Sequence, residues 1–184
     1  GTKFTDAPPA AGPTPVTDPT NLDDDRQLTV TGGTFNEGDG TNYAMFTIDA
    51  VAGQTLNLSL ADGTAHTTGG SAGDEIDYNK TTVQYWNSST SAWVDYTPGT
   101  SPAFTVPGTA KANVTLLVRV LLNSDTTFEN SENFTLTATY ASGAAKTDTD
   151  TAIIKDDGTG TKFTDAPPAA GPTPVTDPTN LDDD

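Results

Sequence analysis

Thr55-Leu-Asn-Leu-Ser-Leu60 alternates polar and apolar side chains at every step. A period of two is that of a strand with one face in a core and the other in water. Outward from this stretch the pattern recurs. Leu28-Thr-Val-Thr31 and Tyr43-Ala-Met-Phe-Thr-Ile48 precede it. Val83-Gln-Tyr-Trp86, Ala92-Trp-Val-Asp-Tyr96, Ala103-Phe-Thr-Val106, Asn113-Val-Thr-Leu-Leu-Val-Arg-Val120, Asn133-Phe-Thr-Leu-Thr-Ala-Thr-Tyr140 and residues 146–154 follow. Breaks fall at Gly32-Gly33, Gly38-Asp-Gly40, Ala61-Asp-Gly63, Pro98-Gly99, Pro107-Gly108 and Ser142-Gly143. Asn87-Ser-Ser-Thr-Ser91 has the chemistry of a hairpin turn. No window carries a helical repeat, and residues 61–80 read as a long glycine-rich loop. Short alternating strands with turns at this spacing predict an all-β chain folded as an immunoglobulin-like antiparallel β-sandwich.

Beyond the strands lies an exact repeat. Residues 1–25, GTKFTDAPPAAGPTPVTDPTNLDDD, return letter for letter as residues 160–184. The chain therefore reads as one period of a tandem array: a connector over 1–25, a sandwich domain over 26–159, and a second copy of the connector over 160–184. The two connectors hold ten of the thirteen prolines. They read as polyproline-rich spacers with little to bury, closing on the acidic run Asn21-Leu-Asp-Asp-Asp25. No apolar run is long enough to span a membrane and no segment resembles a signal peptide; both are expected elsewhere in a longer parent chain.

Acids outnumber bases 25 to 8, for a net charge of −17. Such a chain repels nucleic acid and anionic membrane surfaces, so neither is an expected partner. Cysteine is absent. A domain without disulfides needs another staple, and a metal is the obvious candidate.

The acids are not spread evenly. Glu37 and Asp39 follow one strand. Asp74, Glu75 and Asp77 precede another. Asp125, Glu129 and Glu132 lie between two strands, and Asp156 and Asp157 close the last. Counting strand directions places all four groups at the pole of the sandwich where the chain leaves. Carboxylates gathered there repel one another unless a cation joins them. Calcium takes six to eight oxygens from such loop ends. The competing reading is that of ordinary acids in turns.

The segments Glu-Gly-Asp-Gly40, Gly73-Asp-Glu-Ile-Asp-Tyr78, Phe128-Glu-Asn-Ser-Glu-Asn-Phe-Thr-Leu136 and Ala152-Ile-Ile-Lys-Asp-Asp-Gly158 resemble the motif series of Calx-β domains. The tract from Gln84 to Gly160 is similar to extender repeats of giant bacterial surface adhesins of the repeats-in-toxin type. The resemblance implies calcium as the cofactor, one to three ions, with Glu37, Asp74 or Asp77, Asp125, Glu129, Asp156 and Asp157 as ligands. Glu132 is either a further ligand or a holder of its loop. It also implies a stalk role in a secreted adhesin, an extracellular location at the bacterial surface, neighbouring repeats of the same chain as partners, and a monomeric fragment.

Other signals carry less. Trp86 and Trp93, with Tyr85 and Tyr96, suggest a carbohydrate-binding platform as the alternative function; a flat exposed pair favours sugar and buried rings favour a stalk. Asp148-Thr-Asp150 starts like an EF-hand but lacks its glycine and distal Glu, so these acids are expected on an exposed strand edge or face. The threonines around them form a single row. His66, the only histidine, is expected in solvent. With no cysteine and no nucleophile beside His66, the chain is not expected to be an enzyme.

Overall fold

In the computed structural model the chain is described over residues 3–4, 15–16, 26–37, 41–67, 76–124, 130–143 and 145–156. Within the first connector, β1 (Lys3–Phe4) and β2 (Pro15–Val16) pair antiparallel with each other and join neither large sheet. The sequence reads as a polyproline-rich spacer there. The pairing brings residues 3 and 16 together; the rest of the spacer over 1–25 and its second copy over 160–184 lie outside the described residues.

The ten remaining strands are β3 (Leu28–Thr31), β4 (Gly33–Asn36), β5 (Asn42–Val51), β6 (Thr55–Asp62), β7 (Tyr78–Asn87), β8 (Ala92–Tyr96), β9 (Phe104–Thr105), β10 (Asn113–Leu122), β11 (Glu132–Tyr140) and β12 (Thr147–Lys155). They form two five-stranded sheets, ordered β3-β5-β10-β7-β8 and β4-β12-β11-β6-β9. This is the all-β, immunoglobulin-like sandwich that the alternation predicts. In β6 the even residues Leu56, Leu58 and Leu60 are buried and Asn57 and Ser59 exposed. Phe46, Ile48, Leu56, Val118, Phe134 and Leu136 fill the space between the sheets, each fully buried or within 2% of it. Burying a side chain of this size contributes about 1.5–3 kcal/mol.

The structure departs from the expectation in three places. The sandwich is not wholly antiparallel: β4 and β12 run parallel, with Gly33 to Asn36 opposite Ala152 to Lys155. The Gly32-Gly33 break is where the first strand crosses from one sheet to the other. A Cβ on Gly32 would sit 2.2 Å from the Thr151 carbonyl oxygen, so only glycine allows the backbones to approach this closely. The loop after β6 is shorter than expected, because β6 runs to Asp62 and β7 already starts at Tyr78.

The chain enters and leaves at opposite poles. At the proximal pole Arg26 lays its guanidinium 4.5 Å from the Tyr140 ring centroid. It donates to Gln54 Oε1 at 2.8 Å and to the Ser142 carbonyl at 2.9 Å. Lys146 Nζ holds the Arg26 carbonyl. At the distal pole lie the ends of β4, β6, β10 and β12 and the starts of β5, β7 and β11, as the registers of Asn42 with Leu122, Leu122 with Tyr78 and Glu132 with Ile154 require.

Candidate functional site at the distal pole

Six polar or charged side chains are buried among the described residues: Asn36, Glu37, Asn42, Asp77, Arg119 and Asp156. All but Arg119 lie at the distal pole, and each of those five offers oxygen. Glu37 is 4% exposed, Asp77 2% and Asp156 7%. Carboxylates are almost never buried to this degree without a partner, because leaving water penalises the charge. Their placement follows from the strand ends. Glu37 terminates β4 and its N–H donates to the Lys155 carbonyl at 2.9 Å, which sets it beside Asp156. Asn42, opening β5, donates through Nδ2 to the Glu37 carbonyl. Ser124 Oγ approaches the same carbonyl at 3.5 Å.

Asp77 is fixed from three directions. Its N–H donates to the His66 carbonyl at 3.0 Å, its carbonyl accepts from Asn123 N at 2.9 Å, and its Oδ2 accepts from His66 N at 2.5 Å. Asn123 Nδ2 also donates to the Ile76 carbonyl at 2.7 Å. Asp77 Oδ1 is buried and meets no donor among the described residues. Gly63 lets the strand after Leu60 close on this network: a Cβ there would lie 1.9 Å from Asn133 Oδ1, while the Gly63 and Ala65 N–H groups both donate to the Asn133 carbonyl.

The predicted ligands therefore share one pole in part. Glu37, Asp77 and Asp156 share the pole and are buried; Glu132 opens β11 at the same pole, half-buried. Asp74, Asp125, Glu129 and Asp157 lie outside the described residues. Among the described residues no three Asp, Glu or His side chains come close enough to hold a metal ion. Every buried group at the pole does carry an oxygen, the ligand type calcium takes. His66 is exposed, as expected.

In the sequence Asp62 reads only as part of a turn. It ends the alternating strand β6 and accepts from Tyr78 Oη at 2.5 Å and from Lys80 Nζ at 3.1 Å. Burial works to raise its pKa, but the hydrogen bonds from Tyr78 and Lys80 prevail and hold it below the usual carboxylate range. Burial and the same hydrogen bond push the Tyr78 hydroxyl upward. This carboxylate is thus satisfied by the protein's own donors.

Neither does the tryptophan pair form a flat platform. Trp86 and Trp93 face each other across β7 and β8, edge to face, with centroids 5.4 Å apart and planes at 67°. Arg119 sits 4.2 Å from the Trp93 centroid and 4.1 Å from that of Tyr43, with Nε donating to Gln84 Oε1 at 2.7 Å. Gln84 passes the link to Asp95 at 2.6 Å. Tyr85 and Tyr96, one residue out of phase with the tryptophans, point the other way. Both pack on Phe104, at 4.0 and 5.5 Å, and Tyr96 is 3% exposed, so neither can join a surface platform. Arg119→Ala is expected to cost about 2–3 kcal/mol, the sum of two partly desolvated cation–π contacts and one hydrogen bond. Arg119→Lys should recover less than half of that, because an ammonium lacks the planar guanidinium face. Urea unfolding followed by tryptophan fluorescence checks both; a loss under 0.5 kcal/mol for the alanine variant contradicts this account.

No family model matches the chain, and no curated protein matches it. Among solved structures, it is similar to the collagen-binding subdomain of the Enterococcus faecalis surface protein ACE, with a TM-score of 0.34 and 9% identity over 71% of this chain and 95% of that one. It is also similar to CfaE, the adhesive subunit of the CFA/I fimbria of enterotoxigenic Escherichia coli, with a TM-score of 0.39 and 13% identity over 75% of this chain and 49% of that one.

Proposed function

We propose that this chain is a structural extender repeat in the stalk of a large secreted bacterial adhesin, stiffened by calcium and holding more distal modules away from the cell surface. The observation that carries the reading is the sandwich's placement between two identical connectors, with Arg26 at one pole and Asp156 at the other. Copies strung through such a unit add length along one direction. The all-oxygen buried set at the distal pole supports calcium as the stiffening ion. The acidic surface, the missing cysteine and the solvated His66 agree with a non-enzymatic, extracellular part whose partners are its own neighbouring repeats. Against the carbohydrate-binding alternative stand the edge-to-face tryptophans and the arginine covering one of them.

The connector sets the spacing in this reading. With residues 3 and 16 paired, residues 17–25 remain to bridge to the domain and reach at most about 30 Å. Small-angle scattering on a protein of two repeats with calcium saturating should give a distribution of domain separations beyond contact. A single short separation that appears only with calcium would instead place the ion at a rigid junction and overturn the reading of the connector as a spacer.

A further inference from the structure

We propose that β4 and β12 form a load-bearing clamp, latched by the Asp148 and Asp150 carboxylates, that resists pulling the two ends of the domain apart. The proposal rests on the reading of the chain as a link tethered at both ends. The strand directions carry it. β4 runs towards the distal pole and is tethered through its N-terminal side, so tension draws it back towards the proximal pole. β12 is parallel to it and tethered through its C-terminal end, so tension draws it towards the distal pole. The two strands are loaded in opposite senses along their length. Their bonds over four register positions, from Gly33 with Ala152 to Asn36 with Lys155, must then fail together rather than one after another. Glu37 N to Lys155 O extends the same seam.

The latch lies just ahead of the clamp. Asp148 and Asp150 were expected on an exposed edge or face. Instead they turn towards the segment that crosses between the sheets. Asp148 Oδ2 accepts from Val30 N at 2.6 Å and Asp150 Oδ2 from Gly32 N at 2.8 Å. Charged acceptors make these the stronger class of hydrogen bond. Together they tie the incoming strand to β12, one bond at Val30 within β3 and the other at Gly32, between the ladders of β3 and β4.

Forced unfolding reads the barrier directly. The full chain would be held between marker domains and stretched through its ends. Asp148→Ala with Asp150→Ala should unfold about tenfold faster under the same load, since both bonds break before the clamp yields. Val83→Ala, in fully buried β7 core, should lower equilibrium stability yet leave the rate under load within about twofold. Asp148→Asn with Asp150→Asn keeps accepting oxygens and should fall between, and it carries the comparison if the alanine pair does not fold. Unfolding of the acid variants at the wild-type rate, or an equal acceleration by Val83→Ala, overturns the clamp. A rigid calcium junction in place of spaced domains would show in the scattering experiment and leave this measurement unchanged.

Discussion

Phe134→Ala is expected to destabilise the domain by about 3–5 kcal/mol. Phe134 is fully buried. It belongs to β11 in one sheet, yet its ring stacks on Tyr78 of the other at 4.0 Å and 11°, and meets Phe46 edge on at 5.9 Å. Truncation removes both aromatic contacts and leaves a cavity between two sheets that the surrounding ladders keep apart, so collapse cannot refill it. Domains are typically stable by only about 5–15 kcal/mol, so the loss is a large share of the total. Urea unfolding should show a lower midpoint with an unchanged slope. Thr137→Ala, on the outward side of the same strand and bonded at 2.8 Å to Thr149 Oγ1, should cost about 1 kcal/mol or less. Comparable losses at the two positions would mean that the core does not lie between the sheets as described.

Alternation made the fold readable, because each strand with one buried face writes a period of two into the sequence. Thr55-Leu-Asn-Leu-Ser-Leu60 is the clearest case, and the pairing of Trp86 with Trp93 follows from the hairpin it predicts. Two features escaped for physical reasons. The break at Gly32-Gly33 is legible, but nothing local states that the chain changes sheets there or that β4 will pair parallel with a strand more than a hundred residues later. The threonines were read as one row because sequence shows one strand at a time. In the structure Thr137 faces Thr149 and Thr139 faces Thr147 across β11 and β12, with hydroxyls 2.8 and 3.0 Å apart. For the site, strand parity was enough to put Glu37, Asp77, Glu132 and Asp156 at one pole. It could not say that Asn36 and Asn42 would be buried beside them, since asparagine near a turn reads as turn chemistry. Nor could it say that Asp62 would be taken by Tyr78 and Lys80.

Calcium is expected to raise the stability of the domain, and Asp77→Asn to abolish most of that gain. An extracellular site of this type is expected to bind at roughly 10⁻⁴ to 10⁻³ M. At about a hundred times the dissociation constant, each independent site adds about 2.7 kcal/mol to the folded state by mass action. That corresponds to a rise in melting temperature of roughly 10 °C for a domain of this size. Asp77 is the informative position because its two oxygens do different things. Oδ2 holds the His66 amide, while Oδ1 is buried without a donor among the described residues. Asparagine can still accept the His66 N–H, so the metal-free domain should melt close to wild type, while the charge available to a cation is gone. Magnesium should substitute poorly, because it demands a tighter octahedral shell and gives up its waters reluctantly. Melting curves in chelator, calcium and magnesium, with calorimetric titration of both proteins, provide the check. Coincident wild-type curves in chelator and calcium would remove the ion from the stalk reading. A full calcium increment in Asp77→Asn would move the ion away from Asp77, and the burial of that carboxylate would then have to be explained by the His66 N–H bond alone.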